Sequence, residues 1–203
     1  MVRNFKLKNF FTFQTTKNRT NLIYKGSRNH LKNTEMESLL NKQLPKRYYI
    51  YGETGTGKTL FTKVVAEKYK SAIYKKTTSG YWLNYKGEKV VVIEDLSREE
   101  WEFIKFNLKK WLDYDTFTAS ALRDKMTKEE IKSGEQIDAS NYTFIITSYK
   151  PLEEFLNQER LKEGEKVLND RDICKIERLI EVHELKHTKI EEIKEDILKI
   201  INE

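Results

Sequence analysis

This chain of 203 residues contains a single cysteine, Cys174. That count excludes an internal disulfide, supplies no metal framework and fits a reducing compartment. Long hydrophobic runs are missing too: no segment approaches the roughly 18 apolar residues of a membrane span, so no membrane partner is expected. Glycine is scarce, eight in all, yet three fall within one loop. Acidic residues are absent from residues 1–34, where eight basic ones occur: Arg3, Lys6, Lys8, Lys17, Arg19, Lys25, Arg28 and Lys32. The formal net charge of the whole chain is +6, so the remaining residues together carry −2. The basic excess therefore belongs to an N-terminal arm and not to the body. Such an arm reads as a contact for nucleic acid, as an acid-free targeting segment or as the remnant of a domain further upstream. Its Phe5, Phe10, Phe11 and Phe13 could stack on bases or pack on the body.

What is present is charge, at 34% of residues, against 38% hydrophobic residues. Helices with heavily solvated outer faces account for that balance. The length suits one α/β domain with an extension. The expected division is a basic arm with a short helix over 1–44, a nucleotide-binding domain over 45–187 and an amphipathic helix over 188–203.

The glycine-bearing loop is Gly52-Glu53-Thr54-Gly55-Thr56-Gly57-Lys58-Thr59. It fits G-x-x-x-x-G-K-[ST], the phosphate-binding P-loop. The glycines let the backbone turn and bring its N–H groups to phosphate oxygens. Lys58 is a point charge for the β- and γ-phosphates, and the Thr59 hydroxyl is a Mg2+ ligand. A helix opening at Lys58 adds the positive end of its dipole. The context is right: Tyr48-Tyr49-Ile50-Tyr51 reads as a buried strand before the loop. Leu60, Phe61, Val64, Val65 and Tyr69 follow at helical spacing.

Before this core, Thr34-Glu35-Met36-Glu37 reads as a capping box for a short helix ended by Pro45. After it, Ser71–Tyr74 reads as a strand. Tyr81-Trp82-Leu83-Asn84-Tyr85 would either line a base pocket or pack under a loop. Val90-Val91-Val92-Ile93 is a continuous apolar run, as a parallel strand buried on both faces requires. It ends in Glu94-Asp95, acids at the strand edge where ligands bind in such sheets. A P-loop enzyme needs one carboxylate there for Mg2+ and another for the attacking water; Asp95 suits the metal and Glu94 the water. Ser97 and Glu100 form a capping box for a helix of about 14 residues, with Trp101, Ile104, Phe106, Leu108, Trp111 and Leu112 as apolar bulk. Residues 113–140 read as polar and irregular, with Arg123, Lys125, Lys128 and Lys132. Tyr142–Ile146 is a third buried strand ending Thr147-Ser148-Tyr149, an edge that can sense a γ-phosphate or simply end a strand. Residues 151–170 read as helix and loop, and 171–184 end in strand-like alternation. Thr188 opens a last helix with Ile190, Ile193, Ile197 and Ile201 as its stripe, a core or subunit contact.

His183-Glu184-Leu185-Lys186-His187 matches H-E-x-x-H, a zinc protease pattern. That chemistry needs both histidines on one helical face and a third ligand. The strand-like alternation before the motif and the helix start at Thr188 argue against it, although Glu191, Glu192 or Glu195 could complete a site.

Taken together, the P-loop, V-V-V-I-E-D-L and F-I-I-T-S-Y resemble the superfamily 3 helicase domain, in particular that of replication-associated (Rep) proteins of circular single-stranded DNA viruses and plasmids. The resemblance covers about residues 45–185. It implies an α/β fold of the P-loop NTPase kind: a mostly parallel central sheet with helices on both faces, AAA+-like. It implies ATP hydrolysis with Mg2+, and action on single-stranded nucleic acid, DNA favoured over RNA. Lys132-Ser133-Gly134 resembles the family's nucleic-acid-contacting hairpin, 15 residues before Thr147, with Lys125 nearby. Ile145-Ile146-Thr147-Ser148 fits the sensor strand, whose Thr147 and Ser148 would touch ATP. Tyr149 stands where the family has asparagine, and a phenol cannot copy an amide's paired donor and acceptor. Arg178 before Leu179-Ile180 resembles the arginine finger, which acts on a neighbour's ATP and so implies a homo-oligomeric ring, expected to be a hexamer. The family's nickase motifs do not occur, so nicking is not expected. Location is expected to be intracellular, cytoplasm or host nucleus. Two alternatives accompany the helicase: a Rep-derived protein that binds ATP and nucleic acid with little hydrolysis, and a small nucleotide kinase.

Overall fold

Val90–Ile93 is wholly buried because its strand has a neighbour on each side and helices above and below. The computed structural model describes residues 45–120, 134–162 and 167–202. The basic arm, the capping box at Thr34, and Arg123, Lys125, Lys128 and Lys132 lie outside them.

Among the described residues five strands form the main sheet: β1 (Arg47–Tyr51), β2 (Ile73–Lys75), β3 (Val90–Leu96), β6 (Thr143–Ser148) and β7 (Glu181–Glu184). Their order is β2-β3-β6-β1-β7, and every pairing is parallel. Parallel neighbours need crossovers, and helices supply them. These are α1 (Lys58–Tyr69), α2 (Arg98–Leu112), α3 (Leu152–Leu161), α4 (Asp170–Leu179) and α5 (Ile190–Asn202). Strand alternation divides the core into two layers. Tyr49, Val91, Ile93, Phe144 and Ile146 meet Trp101, Phe155 and Ile173 of α2, α3 and α4 on one face. Tyr48, Ile50, Val90, Val92 and Ile145 meet Phe61 and Val65 of α1 and Ile193 and Ile197 of α5 on the other. The fold is thus α/β, a parallel central sheet with helices on both faces, consistent with a P-loop NTPase.

Several local expectations change. Residues 113–140 are not irregular throughout: β4 (Thr116–Thr118) and β5 (Gln136–Asp138) pair antiparallel. They are short and largely polar, so hydrophobic patterning gives little signal, and their registration comes from backbone pairing. Residues 171–184 do end in a strand, β7, as expected, and α4 precedes it. Phe106 is 42% exposed and Ile190 47% exposed, so neither belongs to the core stripe assigned to it. Trp82 is buried within a ring cluster that includes Tyr74, Tyr85, Trp111 and Tyr142, which makes the aromatic segment packing.

Two buried cations fix the layers. The Arg47 guanidinium donates to the carbonyls of Leu112 (2.9 Å), Ala139 (2.6 Å) and Tyr142 (2.5 Å), tying the start of β1 to the end of α2 and the start of β6. Lys105 on α2 donates to Glu159 on α3 at 2.8 Å, with both side chains almost fully buried.

Candidate nucleotide-binding site

Gly52 continues directly from β1, and its N–H donates to the Ser148 carbonyl at 3.2 Å, so the loop is pinned to the end of β6. Gly52 has φ 151°, and a Cβ there would lie 2.2 Å from the Leu185 carbonyl oxygen. Gly57 has φ 94°, and a Cβ there would lie 2.3 Å from Ile193 Cγ2. Both positions demand glycine for backbone angle and for space. Thr56 is buried, and its hydroxyl donates to the Glu53 carbonyl at 2.8 Å, closing the turn from inside. Glu53, Thr54 and Gly55 form its exposed crest.

Gly57 is the N-cap of α1, left-handed and without a side-chain cap, and the first turn has no acid. By contrast α2 has a complete capping box with Ser97 and Glu100, and α4 is capped by Asn169. Unsatisfied first-turn N–H groups and the helix dipole favour an anion at α1. Lys58 stands at this end, 8% exposed. Its ammonium donates to the carbonyls of Gly52 at 2.7 Å and Glu53 at 3.0 Å. Its Nζ also lies 4.5 Å from the centroid of the Tyr149 ring. Thr59 is exposed one residue on. A glycine cradle closed by backbone and by Ile193, uncapped N–H donors and one ammonium fit a polyphosphate.

Across β6 stands the acid-tipped end of β3. Glu94 and Asp95 are both exposed. The β3–β6 register shifts between Ile93 and Leu96, and Leu96 packs on the same face as Ile93, so one extra residue lies between them. Asp95, with φ 49°, marks the bulge. Aspartate tolerates the left-handed region better than most residues, and a bulge re-aims the side chains beside it. The bulge is held from β6: the Asp95 N–H donates to the Thr147 hydroxyl at 2.8 Å, and the Ser148 hydroxyl donates to the Leu96 carbonyl at 2.9 Å. The Thr147 and Ser148 side chains are buried and have partners on β3, while the Tyr149 side chain reaches the P-loop. Two hydroxyls spaced to hold the neighbouring bulge carry no sequence signal that separates them from phosphate sensors. Glu94 carries a partner the sequence did not suggest, Lys75 of β2 at 2.7 Å.

Arg178 is exposed in the last turn of α4, before β7. Tyr48 pairs with Glu181 and Tyr51 with Glu184, so α4 delivers Arg178 to the edge of the sheet opposite its own P-loop. It is not brought to the site within one chain. Lys125 and Lys132 follow β4 and precede β5 in the sequence and lie outside the described residues. H-E-x-x-H is split: His183 and Glu184 belong to β7, and the Leu185 N–H continues that ladder to Tyr51 at 2.8 Å. Among the described residues no group of three His, Cys, Asp or Glu side chains could hold a metal ion. No helix among them is long and apolar enough to cross a membrane.

No curated protein matches the chain. Among solved structures, one titled "Structure of YGR205w protein" is similar at 15% identity over 83% of this chain and 71% of that one, with a TM-score of 0.24, at which the likeness carries no argument. The RNA helicase family model matches residues 48–129, which include β1, the P-loop, β3 and α2. The match is consistent with a superfamily 3 helicase-type domain at residues 48–129 and points to a helicase- or NTPase-like function.

Proposed function

We propose that the chain is an ATP-dependent helicase or translocase of the superfamily 3 type, acting on single-stranded nucleic acid in the replication of a virus or plasmid. The observation that carries this reading is the pairing of two features at one sheet edge. An uncapped α1 bearing Lys58 and a bulged, acid-tipped β3 are both fastened to the end of β6.

The loop from Gly52 to Thr59 would grip the triphosphate of ATP through backbone N–H groups, with the Lys58 ammonium meeting the β- and γ-oxygens. Thr59 and Asp95 would hold Mg2+, which when bound supplies charge neutralisation on the phosphates. Glu94 would orient the attacking water and accept its proton. Thr147 and Ser148 keep Glu94 and Asp95 in place through the β3 backbone and would lie at the γ-phosphate end. Arg178, at the sheet edge opposite its own P-loop, would serve a neighbour's nucleotide in a homo-oligomeric ring, taken as hexameric. Lys132 and Lys125 would contact the nucleic acid backbone.

A second reading, a nucleotide- and nucleic-acid-binding protein with slow hydrolysis, is favoured by two contacts: Tyr149 on Lys58 and Lys75 on Glu94. The ATPase rate of size-separated oligomers, with and without single-stranded RNA or DNA, tests both. Strong stimulation in the oligomer, lost in Lys58→Ala, supports the translocase. A slow rate indifferent to either nucleic acid supports the binding protein, and turnover retained in Lys58→Ala refutes the P-loop assignment.

A further inference from the structure

Tyr149 is the first residue beyond β6, and its side chain touches the P-loop. Two separate contacts hold it there. Its ring faces the Lys58 ammonium, 4.5 Å from Nζ to the ring centroid. Its hydroxyl shares a hydrogen bond with the Thr54 hydroxyl at 3.0 Å, on the exposed crest of the loop.

An ammonium has three N–H donors. In Lys58 two are taken by the Gly52 and Glu53 carbonyls, and the π face of Tyr149 lies against the remaining side of the cation. The lysine is thus satisfied by its own chain. A phosphate oxygen approaching it must displace one of these partners. The carbonyls belong to a loop fixed by the Gly52–Ser148 bond and by the Thr56 hydroxyl. Tyr149 is 53% exposed and joined to the loop by side-chain contacts alone, so it is the partner free to leave.

We propose that Tyr149 is a gate on the P-loop: a positioning residue that clasps Lys58 and Thr54 and must swing outward before a nucleoside triphosphate engages the lysine. The inference rests on the nucleotide-binding reading above. Its consequence runs against ordinary intuition for a residue touching a site, because removing Tyr149 strengthens binding. Apparent affinity is reduced by the fraction of molecules whose loop is open, and loss of the clasp removes that reduction.

The test is calorimetric titration of ATP with Mg2+ into the full chain and its variants. Tyr149→Phe keeps the ring and loses the Thr54 bond, and is expected to bind about 2- to 10-fold tighter. Tyr149→Ala loses both contacts and is expected to bind about 5- to 50-fold tighter. Since Tyr149 is half exposed, neither change opens the core, and an unchanged urea midpoint checks this. Coupling supplies a readout that a structural role would not move. In a Thr54→Val background, Tyr149→Phe should have no further effect, because the shared bond is already gone. Equal or weaker binding by Tyr149→Ala, with wild type binding normally, overturns the gate and leaves the nucleotide site standing. An undiminished Tyr149→Phe effect in the Thr54→Val background also overturns it. Absence of binding by wild type and every variant removes the nucleotide reading and the gate together.

Discussion

Replacing Gly57 by alanine asks whether the last helix of the chain is part of the nucleotide site's foundation. Gly57 and Gly55 both sit in the left-handed region, at φ 94° and 85°. An alanine at either pays backbone strain of about 1–2 kcal/mol. The two differ in space. Nothing lies within 4 Å of a Cβ at Gly55, whereas a Cβ at Gly57 meets Ile193 Cγ2 at 2.3 Å. That methyl is attached to a branched Cβ, and Ile193 is 4% exposed in the core beneath α1, so it has no low-cost rotamer to escape into. Overpacking of this kind costs about 1–3 kcal/mol. Gly57→Ala should therefore be less stable than Gly55→Ala by about 1–3 kcal/mol, read from urea midpoints with the slope checked for constancy. Ile193→Ala alone should destabilise by about 2–5 kcal/mol through the cavity it leaves. In that background, however, Gly57→Ala should lose its excess over Gly55→Ala, because the colliding methyl is gone. Equal destabilisation by the two glycine substitutions in the wild-type background would refute the claim that α5 supports the P-loop.

Thr147→Val removes the acceptor of the Asp95 N–H and should cost on the order of 1–3 kcal/mol by urea titration. Its nucleotide turnover should fall while ATP affinity by calorimetry holds, because the carboxylate edge moves and the P-loop does not. Glu159 is fully buried; burial raises its pKa, but hydrogen bonds from Lys105, Lys162 and the Leu168 N–H outweigh this and leave it below the ordinary 4.5. A depressed carboxylate stabilises the fold above the unfolded value, and that contribution fades as pH falls through the folded one. Urea midpoints should thus drop below pH 4.5, and Glu159→Gln, destabilised by on the order of 3 kcal/mol at neutral pH, should show a shallower drop. Lys76 is buried against Trp111, and burial lowers its pKa from 10.5 to about 8. The folded state loses this proton before the unfolded state does, so stability should rise from pH 8 toward 10, a slope that Lys76→Met should flatten.

The sheet was legible wherever local chemistry had one solution. A four-residue apolar run reads as a parallel strand buried on both faces, and β3 spans Val90–Leu96 as expected. Ser97 and Glu100 announced α2, and their capping box is present. Contacts between distant segments were not legible. The isoleucine stripe of α5 showed that one face is buried, but not that Ile193 would lie against Gly57. Tyr149 could be seen to depart from the sensor asparagine. That its ring would cover Lys58 depends on the path of the chain after β6. Lys75 on Glu94 joins two neighbouring strands 19 residues apart and has no periodic signature. The β4–β5 pair was missed because three-residue polar strands carry too few apolar positions to alternate.

The central claim is that the loop from Gly52 to Thr59 holds a nucleoside triphosphate through its backbone and Lys58. Calorimetric titration of ATP and Mg2+ into the wild-type chain and into Lys58→Ala tests it without relying on turnover. Saturable binding of one ATP per chain by wild type, weakened at least tenfold in a folded Lys58→Ala, is the expected result (a loss of about 1.4 kcal/mol or more). Equal binding by the two, or none by the wild type, would contradict the account.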